Sequence, residues 1–162
     1  MSGILDEDMQ RVVREQRLGF VATTCPDGTP NVSPKGTTDV FDADHLVFAD
    51  ICSPQTVANL LLNPAVEINV VDPLLRKGYR FKGRATVHRG GPQFDQALAR
   101  YRARGMAHPV HAIVLVRVER ALPLVSPAYD DGTIEREVTA RWERYWLALW
   151  ATRRERECDG LP

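Results

Sequence analysis

Ser53 and Pro54 stand where a short apolar run, Leu46-Val47-Phe48-Ala49, gives way to a helical pattern. Serine at a helix N-cap can accept from a free backbone N–H, and proline at the first helical position has no N–H to leave unpaired. Held at the end of a strand, such a helix start points several N–H groups and the positive end of its dipole outward, which suits an anion. Gln55 and Thr56 would contribute those N–H groups. Ser-Pro also starts many helices that bind nothing, so the motif needs company. Arg80, Lys82 and Arg84 alternate with Tyr79, Phe81, Gly83 and Ala85. Their face either adds positive charge to the anion site or is a solvated strand surface. Gly36, inside another strand pattern, marks a bulge or a close backbone approach by a ligand. His108 and His111 have a spacing that metals sometimes use, but no Asp, Glu or Cys completes the set, so no metal site is expected. Cys25, Cys52 and Cys158 form no CxxC pair and have no histidine base placed beside them. They read as small apolar residues, neither nucleophiles nor a disulfide framework.

A chain of 162 residues supports one domain with a real core. Twenty-one basic residues balance 21 acidic ones, which gives no field for drawing in nucleic acid or a membrane surface. No apolar run is long enough to span a bilayer. The first ten residues are acidic and lack a signal pattern, and the unpaired cysteines suit a reducing compartment, so a cytoplasmic location is expected.

The elements that must position these residues follow from periodicity. Residues 5–16 read as a helix with Leu5, Met9, Val12 and Val13 as its apolar stripe, acidic at the start and basic further on. Residues 18–24 and 30–41 read as a hairpin around the turn Pro26-Asp27-Gly28-Thr29. Strand 46–49 leads to the Ser53 helix, which buries Val57, Leu60 and Leu61 and stops at Asn63-Pro64. A strand over 65–71, a loop over 72–78, a strand over 79–88 and a helix over 92–104 come next. Ala112–Val118 is the most apolar strand, continuing to Val125 with Pro123 at an edge or past a bend. Ser126–Gly132 is a loop whose Tyr129 fits an ordinary turn better than a substrate contact. Thr133 can cap a last helix to residue 152 with an aromatic stripe of Trp142, Tyr145, Trp146 and Trp150, of a kind found in cores and at interfaces. Residues 1–152 are then one domain, and 153–162 a charged tail that frays. Short antiparallel strands with tight turns and no glycine-rich phosphate loop indicate a mainly β barrel with flanking helices.

The ordered segments LGFVATTCPDGTPNVSPKG (18–36), HLVFADICSPQTVANLLLNPAVEINVV (45–71) and YRFKGRAT (79–86) resemble the pyridoxamine 5'-phosphate oxidase-like FMN-binding split barrels, over roughly residues 5–125. The resemblance implies a six-stranded antiparallel Greek-key split β-barrel. It also implies a homodimer with FMN in clefts at the subunit interface, contacted by both subunits. It places Lys35 against the flavin and its phosphate side. Ser33, Pro34 and Gly36 would set backbone against the ring edge, Phe48, Ala49 and Asp50 would lie beside the cofactor, and Ser53, Gln55 and Thr56 would be at the phosphate. Arg80 and Lys82 are the candidates for further positive charge. Pro30 stands where the true oxidases open their second strand segment with arginine, and Ser53-Pro54-Gln55 where they have Ser-Arg-Lys. Two phosphate-binding cations are therefore missing, which argues against pyridoxamine phosphate oxidase activity itself. The expectation is an FMN-dependent oxidoreductase acting on a small molecule. The alternatives are deazaflavin F420 in the same cleft, a non-catalytic module holding a flavin or other planar anion, or a barrel with no cofactor.

Overall fold

A computed structural model describes residues 3–158. The chain divides into two compact units, one of Met1–Val71 with Gly78–Pro123 and one of Asp72–Lys77 with Leu124–Pro162. The larger unit opens with α1 (Glu7–Gln16), where the Asp6 carboxylate accepts from the Met9 N–H at 2.8 Å and Arg17 closes the helix in the left-handed conformation. Leu5, Val12 and Val13 are buried and Met9 packs against them, as the stripe requires.

One seven-stranded sheet follows: β1 (Gly19–Thr24), β2 (Pro30–Lys35), β3 (Asp39–Val40), β4 (His45–Asp50), β5 (Ala65–Asp72), β6 (Lys77–His88) and β7 (Ala112–Val125). Its order is β2-β1-β5-β6-β7-β4-β3. The β1–β2 hairpin has the register Gly19↔Lys35 to Thr24↔Pro30, with Gly28 at φ 83 in the turn. The pairs β1–β5, β3–β4 and β4–β7 are likewise antiparallel.

The expected six-stranded barrel is corrected here to seven strands in a curled half-barrel. The return strand anticipated over 30–41 is broken at Gly36–Thr38, where the Thr38 N–H turns back to the Lys35 carbonyl at 3.2 Å. Gly36 therefore sits in an exposed turn, outside any strand, with nothing within 4 Å of where a Cβ would lie. This break explains the curl. β2 and β3 form opposite edges of the sheet, and six interstrand spacings would hold flat edges about 28 Å apart. The four Cα steps from Lys35 to Asp39 reach about 15 Å at most. The sheet has to roll until its edges approach.

Phe48, Phe81, Leu46, Ile68, Val70, Val114 and Val116 fill the main core on one face. Val47, Ala49 and Ile113 form a second cluster on the other face, under Ala97 and Tyr101 of α3 (Pro92–Ala103). Burial on both faces is why β4 reads as an unbroken apolar run. The Tyr101 hydroxyl donates to the Thr37 carbonyl at 2.7 Å, and Arg104 pairs with Asp39, so α3 also ties down the edge-to-edge turn.

The α2 helix (Pro54–Leu62) buries a different face from the one its apolar residues suggest. Val57 and Leu60 are inside, but Leu61 is exposed, and Thr56 and Asn59 are buried instead. The cause is polar. Asn59 Nδ2 donates to Thr23 Oγ1 at 3.0 Å, Asn31 bridges Thr23 and Thr56, and Gln55 donates to Asn59 Oδ1 at 2.7 Å.

Tyr79 on β6 donates its hydroxyl to Asp8 of α1 at 2.6 Å. That bond, with Arg11 second, holds the Asp8 carboxyl below its ordinary value, and it pushes Tyr79 from 10.0 up to about 12. A raised phenol pKa stabilises the fold fully below the unfolded value and loses that contribution as pH rises through the folded one. The depressed carboxyl adds a matching loss in acid. Tyr79→Phe is expected to flatten the fall of Tm between pH 10.0 and about 12, as read by thermal melts across that range. An unchanged alkaline limb would show that the bond does not form.

In the smaller unit, Asp72 Oδ1 accepts from the Leu74 and Leu75 N–H groups, both at 2.8 Å, and the Tyr129 hydroxyl donates to the Leu75 carbonyl at 2.6 Å. Lys77 lies 4.4 Å from the Tyr129 ring centroid and pairs with Glu135 at 2.7 Å. The last helix, α3's successor α4, spans Glu135–Cys158. It runs past residue 152, where the tail was expected to begin, and residues 159–162 of that tail lie outside the described residues. Thr133 is not its cap, because its N–H and hydroxyl both bind the Asp131 carboxylate. Trp142, Tyr145 and Trp146 stack edge to face along α4, with Arg76 over the Trp142 ring at 4.2 Å. Tyr145, Trp146, Leu147 and Trp150 remain exposed.

Candidate functional site

Lys35 closes β2 on its inward face and is only 4% exposed. Its ammonium donates to Ser33 Oγ and to Ser53 Oγ, both at 2.5 Å. Burial pulls its pKa below the ordinary lysine value, and the carboxylate of Asp50 opposes that shift. Asp50 Oδ1 in turn accepts the Ser53 N–H at 2.8 Å and fixes the start of α2. Four expected site residues, Ser33, Lys35, Asp50 and Ser53, are thus brought together from β2, β4 and the α2 entry.

Ser53 occupies the N-cap position but makes no side-chain cap bond. Its oxygen accepts from Lys35 instead, which leaves the hydroxyl proton free to donate outward. The same holds for Ser33. Two hydroxyl donors, the third ammonium N–H and the first-turn N–H groups of α2 make a donor-rich nook, the chemistry an oxyanion requires.

The other candidates are placed differently. Phe48 is fully buried in the main core, and Ala49 lies in the second cluster. Both side chains are enclosed by the protein. Pro34, opposite Phe20 in the hairpin register, is exposed on the face away from Lys35. Gln55 and Thr56 flank the nook, but their side chains are engaged with Asn59 and Asn31. Arg80 and Lys82 lie on the outer face of β6, both paired to Glu67 of β5 at 2.9 and 3.1 Å, apart from the Lys35 cluster. On that outer face, Asn69 Oδ1 is buried and has no hydrogen-bond partner among the described residues.

A pocket of about 450 Å³ adjoins the nook. Asp50, Ser53 and Cys52 line one side, Pro54, Val57, Ala58 and Leu61 give an apolar wall, and Arg89 and His111 complete it. Sequence spacing did not single out Arg89, because it reaches α2 only through the course of β6. Among the described residues no group of three His, Cys, Asp or Glu side chains could hold a metal, and no helix is long and apolar enough to cross a membrane.

Residues 5–124 match the family profile of pyridoxamine 5'-phosphate oxidase. The chain belongs to that family. An uncharacterized protein of Methanocaldococcus jannaschii is 32% identical over 89 residues, 54% of this chain, and the chain spans 58% of that curated relative. Among solved structures, HupZ of Group A Streptococcus superposes with a TM-score of 0.68 at 30% identity, covering 75% of this chain and 94% of that one. An FMN-binding protein of Syntrophomonas wolfei gives 0.65 at 15% identity, over 75% and 87% of the two chains. An F420 reductase gives 0.57 at 24% identity, over 72% and 98%. These last two likenesses are of fold.

Proposed function

We propose that the protein is an FMN-binding oxidoreductase acting on a small organic molecule, with the cofactor phosphate at the Lys35 nook. One observation carries this reading: a buried ammonium held between two serine hydroxyls at the uncapped start of a helix. A buried lysine with no carboxylate in direct contact is costly unless an anion completes its surroundings. Membership in the family and the FMN-binding and F420-reductase neighbours support a flavin or deazaflavin as that anion's bearer.

When bound, the flavin supplies hydride or electron transfer, so the protein needs no nucleophilic side chain. Ser33, Lys35 and Ser53 bind and orient the phosphate, and Asp50 positions Ser53. The exposed apolar residues Leu18, Phe20 and Val32 on β1, β2 and the approach to them are the face we assign to a second copy of the chain in a homodimer.

Absorption spectroscopy of the purified protein, with mass spectrometry of what heating releases, tests the cofactor. A released FMN mass supports the proposal, a deazaflavin mass redirects it to F420, and a colourless protein that ignores both added cofactors ends it. Reduction of bound flavin by NADH or NADPH separates an oxidoreductase from a holding module. Lys35→Ala should weaken FMN binding by about 1–3 kcal/mol, the scale of a charge-assisted bond. An unaltered dissociation constant would remove Lys35 from the site.

A further inference from the structure

The Lys35 nook is short of positive charge for the group assigned to it. A phosphate monoester carries nearly two negative charges at neutral pH. Lys35 brings one positive charge, and the Asp50 carboxylate acts on it without pairing to it directly. Hydroxyls and backbone N–H groups donate bonds without adding charge. Arg80 and Lys82 are held by Glu67 on the outer face of the sheet.

We infer that Arg89 is the second phosphate-binding cation, reaching the anion across the pocket it shares with Ser53. Arg89 follows the last residue of β6, and it lines the 450 Å³ pocket beside Asp50, Ser53 and Pro54. Among the described residues its guanidinium has no hydrogen-bond or ion-pair partner. It is exposed, so no existing bond has to break for it to turn toward a ligand. Opposite it stand Val57, Ala58 and Leu61, with Leu61 itself left in solvent. The pocket thus joins one unengaged cation to an apolar wall at the mouth of the donor nook. Guanidinium suits the task because its planar fork can hold two phosphate oxygens at once. The wall suits an apolar portion of the same ligand, such as its ring. His111 shares the rim, with its backbone N–H fixed to the Asp50 carbonyl at 2.9 Å.

This inference rests on the proposed flavin site, and its test separates the two. FMN and riboflavin share a ring and differ in the phosphate, so each is titrated by flavin fluorescence against the wild type, Arg89→Gln and Arg89→Lys. Arg89→Gln should weaken FMN about tenfold, the factor that corresponds to about 1.4 kcal/mol. It should leave riboflavin within about twofold, and Arg89→Lys should recover part of the FMN loss. Thermal melts of the variants should match the wild type, because Arg89 makes no contact that folding needs. Unchanged FMN affinity in Arg89→Gln, with the wild type still binding, overturns the role of Arg89 and leaves the site standing. Equal losses for FMN and riboflavin overturn it too, since the phosphate would then not be what Arg89 meets. A wild type that binds neither flavin overturns the site itself, and Arg89 with it.

Discussion

Phe48→Ala is expected to destabilise the protein by about 3–5 kcal/mol, the range for deleting a buried phenylalanine ring. The same substitution should leave the FMN affinity of the folded protein within about twofold of the wild type, because a ring enclosed in the main core offers no surface for a ligand to bind. Phe48 is 0% exposed and packs in the main core with Leu46, Ile68, Phe81 and Val114. Alternation puts its neighbour Ala49 on the other face, against the α3 cluster. The resemblance to the split-barrel oxidases had set Phe48 beside the cofactor, where a loss of binding would be the main effect. Denaturant unfolding and FMN titration, each done well below the variant's melting temperature, separate the two roles. A variant that melts like the wild type and binds FMN poorly would return the ring to the ligand.

Much of the sheet was legible because its signals are local. The β1–β2 hairpin is written in Pro26-Asp27-Gly28-Thr29, and the structure closes it with Gly28 at positive φ and the Asp27 carboxylate accepting the Thr29 N–H. The α1 stripe and the stop at Asn63-Pro64 are local in the same way. Gly36 marked an irregularity in the strand pattern, but the full break at Gly36–Thr38 was not legible. Its cause is the approach of two sheet edges that are built from strands distributed along the chain.

The site divides along the same line. That Ser53 starts a helix can be read from Ser-Pro. That its hydroxyl faces Lys35 instead of capping that helix depends on a contact across 18 residues, between two separate elements. Thr56 and Asn59 are hidden because polar partners on β1 and β2 wait for them, and a hydrophobic pattern cannot register such partners. Arg89 is further still from sequence reasoning. Its place beside Ser53 depends on the length of β6 and on how the sheet curls, and neither is coded near residue 89.

Gly83→Ala tests the sheet where two strands come closest. A Cβ at Gly83 would lie 2.0 Å from the Arg117 carbonyl oxygen and 2.9 Å from its carbon. Both are backbone atoms of β7, so no rotamer change relieves the contact, and β6 and β7 would have to part. Phe81 and Ala85, on the same inward face of β6, would move with it and open the main core. Overpacking of this kind should destabilise by about 3 kcal/mol or more, and a loss of 3 kcal/mol in a chain of this size lowers Tm by about 6–12 °C. Gly36→Ala is the matched comparison, since its Cβ would meet nothing within 4 Å and its backbone is not in the left-handed region. It should melt within about 0.5 kcal/mol of the wild type, as surface substitutions generally do. A large loss at Gly36 with none at Gly83 would contradict the strand order itself. If Gly36→Ala keeps its stability but loses FMN, then Gly36 is a glycine because a ligand lies against it, and the turn that joins the sheet edges is one wall of the cofactor site.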